Sequence, residues 1–87
     1  MEKDMILAEI EKIGKRVAEA AEPSYWPLEK VKMAEDYKVR LKALRQLYAR
    51  VRADKDTKEI TQDIRKTLVV INNGIEGNML RRLLERI

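Results

Sequence analysis

The chain has no cysteine and no histidine among its 87 residues. Without cysteine there is no disulfide, no thiol nucleophile, no iron–sulfur cluster and no cysteine-based zinc site. Without histidine the usual imidazole general base is gone, and so are the histidine-containing zinc sites. Carboxylates, lysines and tyrosines are all that is left for acid–base chemistry. The composition therefore predicts a protein that is not an enzyme, with no cofactor, no metal and no small-molecule substrate. Phenylalanine is also missing, and there are only 2 prolines, 3 glycines and 1 tryptophan. No apolar run approaches the roughly 20 residues needed to span a bilayer. The start, Met1-Glu2-Lys3-Asp4, carries acids and lacks a signal-peptide pattern. A soluble protein in the cytoplasm, with no membrane partner, is the expectation.

What the chain has in quantity is charge. Charged residues make up 39% of it, mostly Lys, Arg and Glu, a profile similar to that of thermophile proteins, in which ion-pair networks cost less desolvation. The net charge of +4 is unevenly spread: residues 28–55 hold nine basic and four acidic side chains, while residues 1–27 hold four basic and six acidic. An anionic partner would meet the middle segment first. Length sets a further limit. A chain of this size makes one domain, here residues 1–87, and buries only about 60–65% of its unfolded surface. Oligomerisation is a common supplement at this size.

Hydrophobic periodicity predicts helices throughout. In residues 4–21, Ile6, Ile10, Ile13, Val17 and Ala20 repeat with the a/d rhythm of a helix seam. Leu7, Gly14, Ala18 and Ala21 widen one flank with mostly small residues, which let a neighbouring helix come close. Pro23 and Pro27 break the helix around Tyr25-Trp26, and Pro27 suits the first turn of the next one. Residues 27–53 carry a second seam of Ala34, Tyr37, Leu41, Leu44, Tyr48 and Val51, broadened by Met33 and Leu47. Asp56, with Glu59 three residues on, forms a capping-box-like start for a third helix with the seam Ile60, Ile64, Leu68 and Ile71. The β-branched run Thr67-Leu68-Val69-Val70-Ile71 has no alternating partner segment, so it is not read as a strand. After Gly74 the apolar phase changes. Gly77-Asn78 reads as a break with Asn78 as an N-cap, leaving a tail helix of about ten residues, a length that must dock to be stable. The predicted fold is all-α: a three-helix up-down-up bundle with a short C-terminal fourth helix, associating through helix–helix contacts.

Several constellations bear on function. The seam residues Leu41, Leu44, Tyr48 and Val51, with Leu80, Leu83 and Leu84 of the tail, would serve equally as an oligomer interface or as an intramolecular core, because an a/d repeat looks the same in both. Lys38, Lys42 and Arg45 follow one edge of the second seam at one-turn spacing. They could track a phosphate backbone, or simply cover the seam with their stems while the charges stay in water. Residues 66–85 admit a helix-turn-helix alignment with Gly74 at the turn and Ile75, Leu80 and Leu83 as anchors, so that Asn78, Arg81 and Arg82 would face a groove of DNA. Trp26, bracketed by prolines, is either a partner anchor or a plug over the open end of the bundle. The acidic pairs Glu35/Asp36 and Asp54/Asp56 read as surface charge and caps. The expectation that follows is a non-enzymatic assembly or adaptor module acting through protein–protein contact, with itself (as a homodimer) or with another protein. The alternative is a small basic DNA- or RNA-binding protein.

Overall fold

In the computed structural model the backbone is described for residues 1–21 and 28–87, and the side chains for residues 1–19 and 36–87. Tyr25, Trp26 and both prolines lie outside the described residues, as do the side chains of Met33, Ala34 and Glu35. Four helices follow in order: α1 (Lys3–Ala21), α2 (Leu28–Ala53), α3 (Thr57–Val70) and α4 (Gly74–Arg86). The described residues contain no strand, and the helices pack into an all-α bundle.

The helices form a ring. Among the described residues, backbones approach closely between α1 and α2, α2 and α3, α3 and α4, and α4 and α1, but not across either diagonal. Directions follow from the contacts that tie the ends together. Lys3 Nζ donates to the backbone oxygen of Asp54 at 2.6 Å, so the start of α1 lies beside the end of α2. Arg86 on α4 reaches Glu9 on α1 at 3.9 Å, whereas the start of α4 meets Arg40 of α2. Neighbours are therefore antiparallel. At 1.5 Å per residue the 26 residues of α2 span about 39 Å, and the 14 of α3 only about 21 Å. The α3–α4 hairpin thus covers one side of the α1–α2 pair, along the half nearer the α2–α3 turn.

The core joins the predicted seams. Ile6, Ile10, Ile13 and Val17 of α1 are all buried, as are Ile60, Ile64 and Ile71 of the third segment and Leu80 and Leu83 of α4. On α2 the buried line is Leu44, Leu47 and Val51, with Leu41 and Tyr48 only partly buried beside it. The reason is that α2 is flanked by α1 on one side and α3 on the other, which turns its buried face toward Leu47. On α3, Thr67 takes an inward position, its hydroxyl satisfied by the Asp63 carbonyl at 3.0 Å, while Leu68 packs at the margin. Asp56 caps α3 as the sequence predicts: its carboxylate accepts from Glu59 N–H at 2.9 Å, and Glu59 accepts in turn from Lys55 N–H at 2.8 Å.

The fourth helix begins earlier than expected. Asn73 is its N-cap and Asn78 lies inside it, so the predicted break at Gly77-Asn78 does not form. Gly77 is tolerated mid-helix because it sits against the α3–α4 turn, where a Cβ would come within 3.0 Å of the Ile71 carbonyl oxygen and of the Asn72 carbonyl carbon. Close packing here outweighs helix propensity. Gly74 takes φ +76°, a left-handed conformation that favours glycine and reverses the chain between the helices. Ile75, expected to anchor a helix-turn-helix, points outward and is 54% exposed. Its place at the mouth of α4 is taken by Glu76, which is only 8% exposed.

Candidate functional site

The outer face of the α1–α2 pair, turned away from α3 and α4, carries an open groove of about 410 Å³. Its α1 wall is Ile10, Glu11, Gly14, Lys15 and Ala18; its α2 wall is Leu41, Leu44, Arg45 and Tyr48. The local sequence explains this shape. On α1 the line Leu7, Glu11, Gly14, Ala18 runs one position ahead of the buried isoleucines, so it faces sideways rather than inward. Its small members keep that wall low. A Cβ added at Gly14 would find none of the described residues within 4 Å. On α2 the rotation toward Leu47 leaves Leu41 and Tyr48 to form a taller apolar wall. The result is an apolar trough with a low side and a high side.

Charge follows the same division. Beside the α1 wall stand Asp4 and Glu11, two turns apart, with Lys15 a turn beyond; beside the α2 wall stand Lys38, Arg45 and Arg52, again two turns apart, with Lys42 further round. All of these side chains are exposed. Among the described side chains the low rim is thus largely acidic and the high rim basic.

Predicted seam residues divide between groove and core. Val51, Leu80 and Leu83 are buried among the chain's own helices and offer no surface to a partner, and Leu44, almost fully buried, reaches the groove only at its base. Only Leu41, Tyr48 and Leu84 retain exposed area. The predicted nucleic-acid contacts Lys38, Lys42, Arg45, Asn78, Arg81 and Arg82 are all exposed, yet they are not brought together, since α2 and α4 stand at opposite corners of the ring. Arg81 donates to Asn78 Oδ1 at 3.1 Å and also to the backbone oxygen of Asn72, so this pair serves the α3–α4 turn. Trp26 lies outside the described residues.

Two charged sites beyond the groove are structural. At the mouth of α4, Arg40 lies 3.6 Å from the Glu76 carboxylate, donates to Asn73 Oδ1 at 3.1 Å, and sits 5.9 Å from the centre of the Tyr37 ring. Arg40 and Glu76 thus make a diagonal link across the ring at that end of the core. The periodicity holds a signal for it: Arg40 stands one turn before Leu44 and Glu76 one turn before Leu80, each a charge on a buried face.

At the opposite end, Asp54 is held against Asp63. Burial pushes its carboxyl up to about 6; a hydrogen bond with Asp63 and the charges of Asp63 and Glu59 act the same way, against the pull of Lys3. One Asp54 oxygen is sealed from water without a donor. Two carboxylates can share a hydrogen bond only while one keeps its proton, so the contact with Asp63 opposes ionisation of Asp54. The folded state therefore holds a proton that the unfolded chain, with its ordinary carboxylate near 3.8, has already lost. Stability from this group is present below about pH 4 and is lost as pH rises toward 6. Because the site is partly solvated, the gain expected from Asp54→Asn at pH 7 is about 1 kcal/mol. Urea unfolding at pH 4.5 and pH 7 checks this: the variant should exceed the parent only at the higher pH. Equal shifts at both would reject the shared proton. The described residues hold no group of three or more carboxylates arranged to bind a metal, and none of their helices is long and apolar enough to cross a membrane.

Comparison with protein-family models, with curated proteins and with solved structures finds no match to the chain.

Proposed function

We propose that the chain is a non-enzymatic interaction module that docks an apolar helical surface into the α1–α2 groove. One observation carries this reading: an apolar trough on an otherwise highly charged exterior, with none of the described residues packed over the low wall at Gly14. A contiguous apolar surface rimmed by charge is what protein–protein contact sites present. Helix-in-groove recognition uses the same geometry, with large side chains of one partner entering a gap between two helices. The lack of histidine and cysteine, and the structural roles of Arg40, Glu76, Asp54 and Asp63, leave the described residues without a convergent set of reactive groups.

The test is a titration of the full chain with a synthetic amphipathic helix, leucine and alanine on one face and glutamate on the other, followed by amide NMR shifts. Shifts should cluster at Gly14, Ala18, Leu41 and Tyr48. Shifts that avoid these residues reject the groove. A second reading, nucleic-acid binding, draws on the exposed row Lys38, Lys42 and Arg45. It requires that random duplex DNA shift these residues, with affinity falling steeply as salt rises. Binding of DNA without any response to the peptide would put the second reading in place of the first.

A further inference from the structure

On the strength of that docking reading, we propose that the occupant of the groove is a second copy of this chain, related by a two-fold axis that runs along the groove rather than across it. Two independent features select this arrangement. One is shape and the other is charge.

A two-fold axis lying along the helices leaves every residue at its own height and exchanges α1 for α2. Each α1 then rests on α2 of the second copy. The Lys3–Asp54 contact fixes the heights within a chain, since each step up α1 is matched by a step down the antiparallel α2. Glu11 comes level with Arg45, and both line the groove. Asp4, two turns below Glu11, comes level with Arg52, two turns beyond Arg45. Leu41 falls between the heights of Gly14 and Ala18. Under the axial two-fold, therefore, the tall Leu41 wall of one copy enters the low Gly14–Ala18 wall of the other, and Glu11 and Asp4 face Arg45 and Arg52 of the second copy.

An axis across the groove gives the opposite result. It lays α2 on α2, so that Leu41 and Tyr48 meet bulky side chains while Gly14 and Ala18 face each other across a gap. It also sets the row Lys38, Lys42, Arg45 and Arg52 against its own copy. Like charges in contact suppress such a pairing. A two-fold contact must be self-complementary, and the axial one comes nearer to this: it sets Glu11 and Asp4 against arginines and brings only Lys15 level with a like charge, Lys42, which lies further round α2.

The experiment is a charge exchange read by sedimentation equilibrium on the full chain, from about 5 to about 500 µM, a range suited to an interface at the small end of known sizes. The parent should pass from monomer to dimer. Glu11→Arg alone sets arginine against Arg45, and Arg45→Glu alone sets glutamate against Glu11. Each variant should dimerise at least tenfold more weakly than the parent, and more so at low salt. Mixed one to one, the two variants should recover a heterodimer, because both cross-chain contacts then pair opposite charges. Gly14→Leu, which fills the low wall, should abolish assembly both in the parent background and in the mixture, with circular dichroism showing intact helix.

A parent that stays monomeric at every concentration overturns the inference, as do single variants that dimerise like the parent or a mixture that fails to recover. Failure here differs from failure of the docking reading. A monomeric chain that still binds the synthetic helix in its groove loses the second copy and keeps the site; a chain that does neither loses both.

Discussion

Ile13→Ala should lower the stability of the chain by about 3–4 kcal/mol, the largest effect expected of any single change discussed. Ile13 is fully buried in α1, within the cluster formed with Ile10, Val17 and Leu44. Removing its branched side chain forfeits the transfer free energy of the missing carbons and leaves a void that surrounding helices refill only in part; measured costs for such truncations run to about 2–5 kcal/mol. A domain of this length has on the order of 5–10 kcal/mol in total. The change therefore removes a third or more of what holds the fold, and the urea midpoint should fall in proportion with an unchanged slope. The control is Val39→Ala. Val39 is 58% exposed, and its truncation should move the midpoint by less than about 0.5 kcal/mol equivalent. Similar losses at both positions would mean that the buried cluster does not govern stability.

Two glycines inside helices should respond to alanine with opposite signs. At Gly14 the new methyl meets none of the described residues within 4 Å, so helix propensity governs and the variant should gain about 1 kcal/mol. At Gly77 the same methyl would lie 3.0 Å from the Ile71 oxygen and the Asn72 carbon. Both are backbone atoms, held by a buried residue and by the turn, and cannot swing aside as a side-chain end would. Overpacking of this kind costs about 1–3 kcal/mol, which exceeds the propensity gain. A net loss of about 1–2 kcal/mol is expected for Gly77→Ala, and thermal melts of the two variants beside the parent would show it. A gain at both positions would mean that α4 does not press on the α3–α4 turn. Gly14→Ala also separates stability from docking, since it firms the monomer while raising the low wall of the groove.

Gly77 also marks where sequence and structure part. Glycine followed by asparagine is a good local signal for one helix ending and another starting, and local rules place a break there. The α4 helix runs through because Gly77 is needed for its lack of a side chain, and that need is visible only once the turn lies against it. The helices themselves were legible. The isoleucine rhythm of α1 and the Asp56–Glu59 cap of α3 report local chemistry, and both appear as read. The orientation of α2 was legible only in part. Its apolar stripe spans Leu41 to Val51 including Leu47, and which edge of that stripe faces inward depends on where α3 lies.

The groove was half visible in the sequence. The small flank at Gly14 and Ala18 announces a close approach by something, but periodicity does not tell a neighbour in the same chain from one outside it. The Asp54 cluster was not visible at all, because Lys3, Asp54 and Asp63 are drawn together from three separate stretches. Their chemistry belongs to the fold and to no short segment. Arg40 and Glu76 fall between these cases: each interrupts an apolar face, which flags a buried charge without naming its counterpart.

The ring of helices also carries an expectation about the order of folding. Contacts of α2 with α3 and of α3 with α4 join segments separated only by short turns, so they can form early and cheaply in chain entropy. The α1–α4 side, by contrast, is a clasp between segments far apart in sequence, with Glu9 and Arg86 separated by 77 positions. Until α4 arrives, Ile6, Ile10 and Ile13 have a wall on one flank only. Loop entropy thus predicts that the isoleucine-rich first helix is enclosed last, an order that core truncations in α1 would show as faster unfolding with little change in folding rate.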